Sequence, residues 1–450
     1  MSVHQEPVRI GVSVTADAVR AVALRGDVLL EHTELAREND DDALRDALAA
    51  LGHYRATAVS LASGTLRDAL DEPDQLAPVA VLRFTQPGGT VLPPFSGWPE
   101  PIRRAVRGAH LTLPGGHDLT GRELAPLDHD GILRGVERAV RGGVRDIAIC
   151  ATGSCAIPDH EEQTAELVRH SFPEVTVTLS HEVGGIGLRD RENAAALNAA
   201  LRRRAAHLVT GLERVLRAAG LAAPLMFVAN HAGAIGPEYL RRFPVAALTG
   251  DWSATASGAA HLAGVRRALV CELTGDQVRA GMVVAGTPPR TRTPQTLRGI
   301  RVGDIVPEIT TATLPGVAAP SVAGQRTTVA VGRTPERIME LTAPPPRGWN
   351  LSADDITVPS EHAFAAAVGA ARSRPEITIE RLVRAESDAA LDRVRGTLSE
   401  QALAQTTSAG ADPATPRVEQ VRATPVSYLP GGIHHLVVRA SGDLPRGIRS

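Results

Sequence analysis

Two short stretches, far apart in the chain, share a pattern of residues that could hold a phosphate group. The first, GVSVTADAV (11–19), is an apolar run, a short polar turn with Thr15 and Asp17, and a second apolar run. The second, CELTGDQV (271–278), repeats this order and carries Glu272 before its turn. A carboxylate beside such a turn can hold Mg²⁺ or its water, because hard cations prefer anionic oxygen ligands. The candidate nucleotide-binding residues are therefore Thr15, Asp17, Glu272, Thr274, Gly275 and Asp276.

A second group of candidates lies in the stretch SHEVGGIGLRDREN (180–193). Histidine exchanges protons near neutral pH and can act as an acid, a base or a metal ligand. The structural alternative is that charged residues between a strand and a helix cap the helix or form solvated ion pairs. Glu192 and Asn193 are also typical of a helix start. We predict that His181, Glu182 and Glu192 are catalytic, in a pocket at the carboxyl end of a strand over 174–183, and that no metal is bound.

Two further motifs are predicted to be structural. His160 and Glu161, in the stretch PDHEE, favour a surface turn over a role in supporting the same pocket. The three cysteines, Cys150, Cys155 and Cys271, give no disulfide framework and are expected to be small buried hydrophobes.

Composition excludes several classes of function. The net charge is −2, so no basic field indicates nucleic acid binding, and the apolar runs are too short to cross a bilayer. All 48 basic residues are arginine, which excludes a Schiff-base lysine, a phosphate-loop lysine and a biotin-carrying lysine. We predict a cytoplasmic protein with a small-molecule substrate and no contact with nucleic acid or membrane.

The hydrophobic pattern places these candidates on a mixed sheet. Residues 8–14, 18–26 and 28–35 read as an antiparallel meander, and residues 41–54 and 57–63 as a helix and a strand. From residue 128 helices and strands alternate, with a long helix over about 191–219, which favours a parallel sheet covered by helices. The echo between the two candidate turns suggests a duplicated domain.

Several segments, in order along nearly the whole chain, resemble the hydantoinase A / 5-oxoprolinase family, which includes subunits of acetone-type carboxylases. SHEVGGIGLRDRENAAALNAAL resembles the family's Ser-His-Glu … Glu-Arg-Glu-Asn-Ala … Asn-Ala segment. The other matching segments are RDIAICATGSCAIPDHEEQTAELVRHSFP (145–173), LTGDWSATASGAAHLAG (248–264), AAAVGAA (365–371) and the terminal GADPATPRVEQVRATPVSYLPGGIHHLVVRASGDL (410–444).

The resemblance implies an α/β fold with duplicated ribonuclease-H-like (actin/hexokinase-type) domains, an α/β insert and a C-terminal hairpin segment. It also implies ATP and Mg²⁺ bound between the two halves, phosphorylation of an amide or carboxyl oxygen, and a hydantoinase-B-like or other associated subunit. The expected domains are 1–125, the first half; 126–265, an α/β central region; 266–375, the second half; and 376–450, a C-terminal helix and hairpin.

Four parts of the implied nucleotide site depart from the family pattern Asp-x-Gly-Gly-Thr-x-Thr-Asp and its companions. Both turns are three residues short, and Ser13 stands where the first turn should carry its carboxylate. The family's Asn-Asp-Gly-Thr turn is Asn230 to Gly233, its asparagine near 365–371 is Ala366, and 310–325 lacks a Gly-Gly-Gly run. The sequence therefore predicts reduced or absent ATP turnover and no cofactor.

Three hypotheses remain open at this point. The chain is a divergent hydrolase of the hydantoinase/oxoprolinase type, a catalytically degenerate scaffold or regulatory subunit of a partner enzyme, or an ATP-independent enzyme that uses the interdomain cleft.

Overall fold

The structure is a computed structural model that describes residues 7–37, 40–88, 92–274, 277–290, 295–303, 305–313, 328–332, 356–427 and 432–445. Its strands are β1 Val8–Val14, β2 Ala18–Arg25, β3 Val28–Ala36, β4 Ala56–Ser63, β5 Val79–Thr85, β6 Arg107–Pro114, β7 Asp146–Ala151, β8 Thr176–Leu179, β9 Leu225–Val228, β10 Ala234–Ile235, β11 Arg267–Thr274, β12 Gln277–Val284, β13 Gln295–Leu297, β14 Ile300–Gly303, β15 Thr310–Thr313, β16 Thr328–Gly332, β17 Ile356–Thr357, β18 Glu376–Arg384, β19 Arg417–Pro425 and β20 Ile433–Ser441.

Its α-helices are α1 Asp40–Ala50, α2 Thr65–Asp68, α3 Glu100–Val106, α4 His129–Arg141, α5 Asp159–Ser171, α6 Ser180–Val183, α7 Leu188–Ala218, α8 Pro237–Arg242, α9 Gly250–Leu262, α10 Ala365–Arg372 and α11 Asp388–Ser408. Short 3₁₀ turns cover Pro73–Gln75, Pro244–Ala247 and His362–Phe364.

The first large sheet has the strand order β10-β9-β4-β1-β2-β3. Strands β1, β2 and β3 form an antiparallel meander, and β4 and β9 run parallel to β1. Central strands β1 and β2 are buried over almost their whole length, which agrees with their continuous apolar sequences. The predicted meander is confirmed.

The second large sheet has the strand order β15-β12-β11-β16-β17. Strand β12 is antiparallel to both β11 and β15, whereas β16 runs parallel to β11 and β17 parallel to β16. The order and directions are the same as those of β3-β2-β1-β4-β9. The two candidate turns therefore connect equivalent pairs of strands, β1 to β2 and β11 to β12.

Helices α9 and α10 pack against each other between the two large sheets. A Cβ added to Gly258 would lie 1.9 Å from the carbonyl oxygen of Ala365, and one added to Gly369 would lie 1.9 Å from that of Ala254. Only glycine permits backbones to approach this closely. Trp252 and neighbouring residues of α9 pack on the second sheet, and Val368 of α10 packs on β2 of the first.

Two smaller sheets complete the fold. Parallel strands in the order β6-β5-β7-β8 pack with α4 and α5, and this sheet leads into α7, whose residues 190–201 are all buried. Antiparallel strands in the order β18-β20-β19 pack against α11, which confirms the predicted C-terminal hairpin.

The predicted strand over 174–183 is wrong at its carboxyl end. Strand β8 stops at Leu179, and residues 180–183 form the single turn α6. The reason is a buried carboxylate: Glu161 accepts hydrogen bonds from the Ser180 hydroxyl and from the backbone N–H of His181. These bonds fold the chain into a turn where the hydrophobic pattern indicated a continuing strand.

None of the described helices has both the length and the apolar character needed to cross a bilayer.

Candidate functional site

The first hairpin turn is short and held by its own side chains. Three residues join β1 to β2, and the backbone N–H of Thr15 donates to the carbonyl of Ala18 at 3.0 Å. The hydroxyl of Thr15 donates to Asp17 Oδ1 at 2.9 Å. Ser13 is 3% exposed and lies opposite Arg20 in the strand register. The position before this turn thus carries no charge.

Arg20 is directed towards the outer edge of the first sheet. Its Nη2 lies 2.9 Å from Glu34 Oε1 on β3 and 3.5 Å from Asp17 Oδ2. The Glu34 side chain is 44% exposed, so this ion pair is in contact with solvent.

The second hairpin places a carboxylate and a guanidinium at the equivalent positions. Glu272 lies opposite Arg279 in the register, and Arg279 Nε donates to Glu272 Oε2 at 2.7 Å. Thr255 of α9 also donates to Glu272, at 3.3 Å. Thr274 is exposed at the end of β11, and Gly275 and Asp276 lie outside the described residues.

Asp251, in the first turn of α9, joins this hairpin to the first half of the molecule. Arg279 Nη1 donates to Asp251 Oδ2 at 2.6 Å, and Arg67 of α2 donates to the same oxygen at 2.7 Å. We call Arg67, Asp251, Glu272 and Arg279 the Asp251 cluster. Its side chains are only 13–24% exposed. Two carboxylates and two guanidiniums therefore balance each other inside the protein, as buried charges must.

The pKa values in the Asp251 cluster follow from this pairing. Burial alone would raise the pKa of Asp251, but Arg279 and Arg67 hold it well below its usual range. Burial alone would lower the pKa of Arg279, but Asp251 and Glu272 raise it. Asp251 and Arg279 therefore stay charged at neutral pH.

The second candidate region is built around Glu161, a side chain with no exposed surface. Its oxygens accept from the backbone N–H of Ala151 at 2.8 Å, from Ser180 Oγ at 2.5 Å and from His181 Nδ1 at 2.7 Å. Burial opposes ionisation, but these hydrogen bonds and the charge of Arg191 lower the pKa of Glu161 to about 2. An ionised carboxylate can only accept, so His181 Nδ1 carries a proton and the exchangeable position of the ring is Nε2.

Arg191 fixes the loops around this carboxylate. Its guanidinium donates to the carbonyl of Ala151 at 3.0 Å and to Ser154 Oγ at 3.1 Å, and it also contacts the carbonyl of Ile186.

The prediction of a surface turn at His160 and Glu161 is wrong. His160 is 4% exposed, and both residues lie in the first turn of α5, facing the interior.

Glu192 forms a buried ion pair of its own and is not part of the hydrogen-bond network around Glu161. It binds Arg83 of β5 through Nε at 2.5 Å and through Nη2, and both side chains are at most 4% exposed. Asn193 likewise receives a hydrogen bond from Trp98 at 2.8 Å and donates to the carbonyl of Arg301 at 2.8 Å. Both side chains are fully engaged in joining α7 to its neighbours.

His181 and Glu182 line a cavity of about 160 Å³ between α6, α8 and β18. Glu182 is paired with Arg242 at 2.7 Å, with a side chain that is 24% exposed. Glu376 of β18 lines the same cavity, and burial raises the pKa of its carboxyl group. The structure thus brings together two of the three predicted catalytic residues and adds a carboxyl group that the sequence did not indicate.

Asn230 lines this cavity, but its side chain is used in hydrogen bonds within the protein. Its Nδ2 donates to the carbonyls of Val245 and Ile305, and its Oδ1 accepts from the backbone N–H of Thr249 at 2.8 Å.

Among the described residues, no group of three or more His, Cys, Asp or Glu side chains is arranged to hold a metal ion. The three cysteines are buried and unpaired, as predicted.

The two hairpin arginines were missed, although the sequence contains a pattern that indicates them. Arg20 and Arg279 end the octapeptides SVTADAVR and ELTGDQVR, so the repeat is one residue longer than the stretches compared above. Asp251 and Glu161 had no such signal, because the partners of their carboxylates lie 10 to 184 residues away along the chain.

Two family models match successive parts of the chain. Residues 92–172 match the hydantoinase/oxoprolinase N-terminal region, and residues 191–332 match the hydantoinase/oxoprolinase domain. No curated protein matches the sequence.

Two solved structures share the fold over almost the whole chain. A nucleotide-free acetone carboxylase is 10% identical, with a TM-score of 0.67, covering 98% of this chain and 89% of that one. An ATP-dependent caprolactamase from Pseudomonas jessenii is 13% identical, with a TM-score of 0.73, covering 97% of this chain and 88% of that one. At such low identity the likeness is one of fold, a mixed α/β architecture with several sheets. Because the two family models match adjacent regions in the order N-terminal region and then main domain, the chain belongs to the hydantoinase/oxoprolinase family.

Proposed function

We propose that this hydantoinase/oxoprolinase-family protein has lost, or retains little of, the ATP turnover of its family. We also infer that its two large sheets are the halves of a duplicated ribonuclease-H-like fold, since they share one strand order and one set of strand directions. In that fold the two hairpins face the nucleotide phosphates, so the chemistry of the hairpins decides whether Mg²⁺·ATP can bind.

The observation that carries the proposal is the position of Arg279. A Mg²⁺ ion needs anionic oxygen ligands, and the carboxylates that the structure describes near the second hairpin are Glu272 and Asp251. Arg279 donates to both of them, and Arg67 donates to Asp251 as well. A cation would have to displace a guanidinium from a mostly buried ion pair, which leaves the guanidinium without compensation.

The first hairpin supplies no alternative ligand at the equivalent position. Ser13 is neutral and 3% exposed, and the tight turn that follows is closed by the Thr15–Ala18 hydrogen bond. The residues present therefore do not fit the Mg²⁺·ATP complex of the family, and no step through a nucleotide is derived.

The test is a titration of the purified protein with Mg²⁺·ATP, read by calorimetry and by thermal unfolding. A ligand that binds only the native state raises its stability by RT ln(1 + [L]/Kd), so tight binding gives a large shift in the melting temperature. We expect no shift, while a nucleotide-hydrolysing member of the family measured alongside does shift. A clear shift that disappears in Asp17→Ala or Glu272→Ala contradicts the proposal.

A second candidate function is ATP-independent acid–base chemistry at the His181 cavity, as a hydrolase of a cyclic amide or a related small molecule. The observation that favours it is the Glu161–His181 pair, in which Glu161 fixes the ring and its proton on Nδ1. Nε2 is then free to take or give a proton at the cavity, and the carboxyl group of Glu376 stands in the same lining. The chain's part in such a reaction is to orient His181 and exchange a proton at Nε2.

This candidate is tested by assaying ring opening of lactams, caprolactam among them, without nucleotide. His181→Gln is expected to abolish turnover, and the exposed His170→Gln on α5 serves as the matched control. Absence of turnover in the wild type, or equal activity of wild type and His181→Gln, contradicts this function.

A further inference from the structure

Arg381 of β18 is a guanidinium that is mostly enclosed yet pairs with no carboxylate. It donates to the carbonyl oxygens of His181 at 2.7 Å and of Glu380 at 3.0 Å. Within the described part of the chain, no carboxylate oxygen lies within 4.0 Å of it in an ion pair. Burial lowers the pKa of this guanidinium, and the charges of Glu161 and Glu182 oppose that effect.

Arg191 is buried and likewise pairs with no carboxylate among the described residues, but all three of its guanidinium nitrogens donate to protein oxygens, whereas only Nη1 of Arg381 does. Other enclosed arginines are in ion pairs. Arg83 is paired with Glu192, and both Arg67 and Arg279 are paired with Asp251. Enclosed charges in proteins are paired as a rule, because an isolated charge loses the solvation that water provides. Within the described chain, Arg381 therefore differs in having two nitrogens, Nε and Nη2, that donate to no protein acceptor.

Arg381 also lies where two cavities meet. The 160 Å³ cavity beside α8 and a second cavity of about 300 Å³ beside α11 share His181 and Arg381 in their linings. The remaining wall of the larger cavity is largely apolar, with Leu382, Val383, Val394 and Leu398, and Thr397 and Gln401 stand exposed on α11.

Glu162 sets a limit on the charge of a ligand. It lines the larger cavity, and its Oε1 lies 3.8 Å from His181 Nε2. Its negative charge repels a multiply charged anion such as phosphate, but a single carboxylate can be held by Arg381 from the other side. Arginine suits this task because its planar fork of N–H groups matches a carboxylate.

We propose that Arg381 binds the carboxylate of a small organic acid beside His181, and that the apolar body of the acid lies against Val394 and Leu398 in the larger cavity. The site is separate from the Asp251 cluster, so it does not depend on the loss of ATP turnover. It would make the ligand of this protein a monocarboxylate, held beside the ring nitrogen that the second candidate function uses.

The experiment measures binding of isovalerate by calorimetry, with isovaleramide as a neutral ligand of the same shape and with inorganic phosphate as a second anion. We expect isovalerate to bind about tenfold or more tightly than the amide, and phosphate to bind no better than the amide. Arg381→Met is expected to remove this preference and Arg381→Lys to retain part of it. Arg384→Met, an exposed arginine paired with Glu386, is the matched control and keeps full binding.

Arg381 also donates to the carbonyl of His181, so its substitution could disturb the local structure. A second variant therefore tests the ligand site without changing Arg381. Gln401→Glu adds a negative charge at an exposed rim position without touching Arg381, and we expect it to weaken isovalerate binding several-fold. The proposal is overturned if isovalerate and the amide bind alike, if Arg384→Met weakens binding as much as Arg381→Met, or if isovalerate, 2-methylbutyrate and benzoate all fail to bind. Because the assay contains no nucleotide and no turnover, its outcome is independent of the tests above.

Discussion

The two hairpins share a sequence pattern and a strand register, yet their arginines face different surroundings. In the first, Arg20 lies opposite Ser13 and pairs with Glu34 on the solvent-exposed edge strand. In the second, Arg279 lies opposite Glu272 and is drawn to Asp251 of α9 between the two sheets. The same octapeptide framework thus ends in an ion pair with an exposed carboxylate on one side and in a cluster of four charged residues between the two sheets on the other.

The difference teaches that the neighbours of a hairpin decide what its charged residues do. The strand register places Arg20 opposite Ser13 and Arg279 opposite Glu272. Of these two arginines, only Arg279 is also bonded to a described carboxylate from a helix, Asp251 of α9. Enclosed pairs are screened little by water, whereas exposed pairs contribute little to stability. Substitutions at equivalent positions of the two hairpins should therefore have unequal effects.

The largest effect is expected for Asp251→Asn, which leaves Arg67 and Arg279 facing each other with less compensation. We expect the free energy of unfolding to fall by about 3 kcal/mol, since removing one member of a buried ion pair strands its partners. The matched change at the first hairpin, Asp17→Asn, should cost about 1 kcal/mol or less, because Asp17 lies 3.5 Å from Arg20 Nη2 and Arg20 keeps its closer partner Glu34. Urea denaturation measures both, and equal losses would contradict the distinction between the hairpins.

Acidification should erase the contribution of Asp251. Its folded-state pKa lies below the unfolded value of about 3.9, so its stabilisation is complete above that value and is lost as the pH falls through the folded-state pKa. The unfolding free energies of wild type and Asp251→Asn should therefore converge as the pH falls below about 4. Denaturation curves from neutral pH to about pH 3 test this, and a gap of constant size speaks against an ionised Asp251.

The smallest effects are expected for the carboxylates that directly face the two arginines. Glu272→Gln should lower the free energy of unfolding by about 1 to 2 kcal/mol, because Arg279 loses one of its two enclosed charge partners. Glu34→Gln should change it by about 0.5 kcal/mol or less. Added salt should shrink the already small effect of Glu34→Gln and leave that of Glu272→Gln nearly unchanged. A reversal of this order would show that the first hairpin carries the more important ion pair.

Much of the fold could be predicted from local patterns. The meander, the long helix and the C-terminal hairpin each follow from hydrophobic periodicity, which needs no information from distant residues. The strand over 174–183 failed because a distant side chain, Glu161, captured Ser180 and His181. The division into four domains, the partner subunit and the cytoplasmic location stay predictions.

The candidate site divides in the same way. His181 and Glu182 were indicated by a family motif, and the structure places both in one cavity. Glu161, Asp251 and Arg381 act through contacts with residues 10 to 200 positions away, and no local spacing reveals such contacts.

The sequence by itself determined the family, the opening meander, the long helix, the C-terminal hairpin, the shortness of both turns and the absence of a lysine nucleophile, because these depend on residue identity and on short-range pattern. Only the tertiary structure decided which charges meet. Arg279 pairs with Asp251 because α9 begins beside the second hairpin. Arg381 donates to carbonyl oxygens because the fold places no carboxylate within ion-pair distance of it in the described chain. Electrostatic energies depend on distance and burial, and both are set by packing between segments that the chain separates widely.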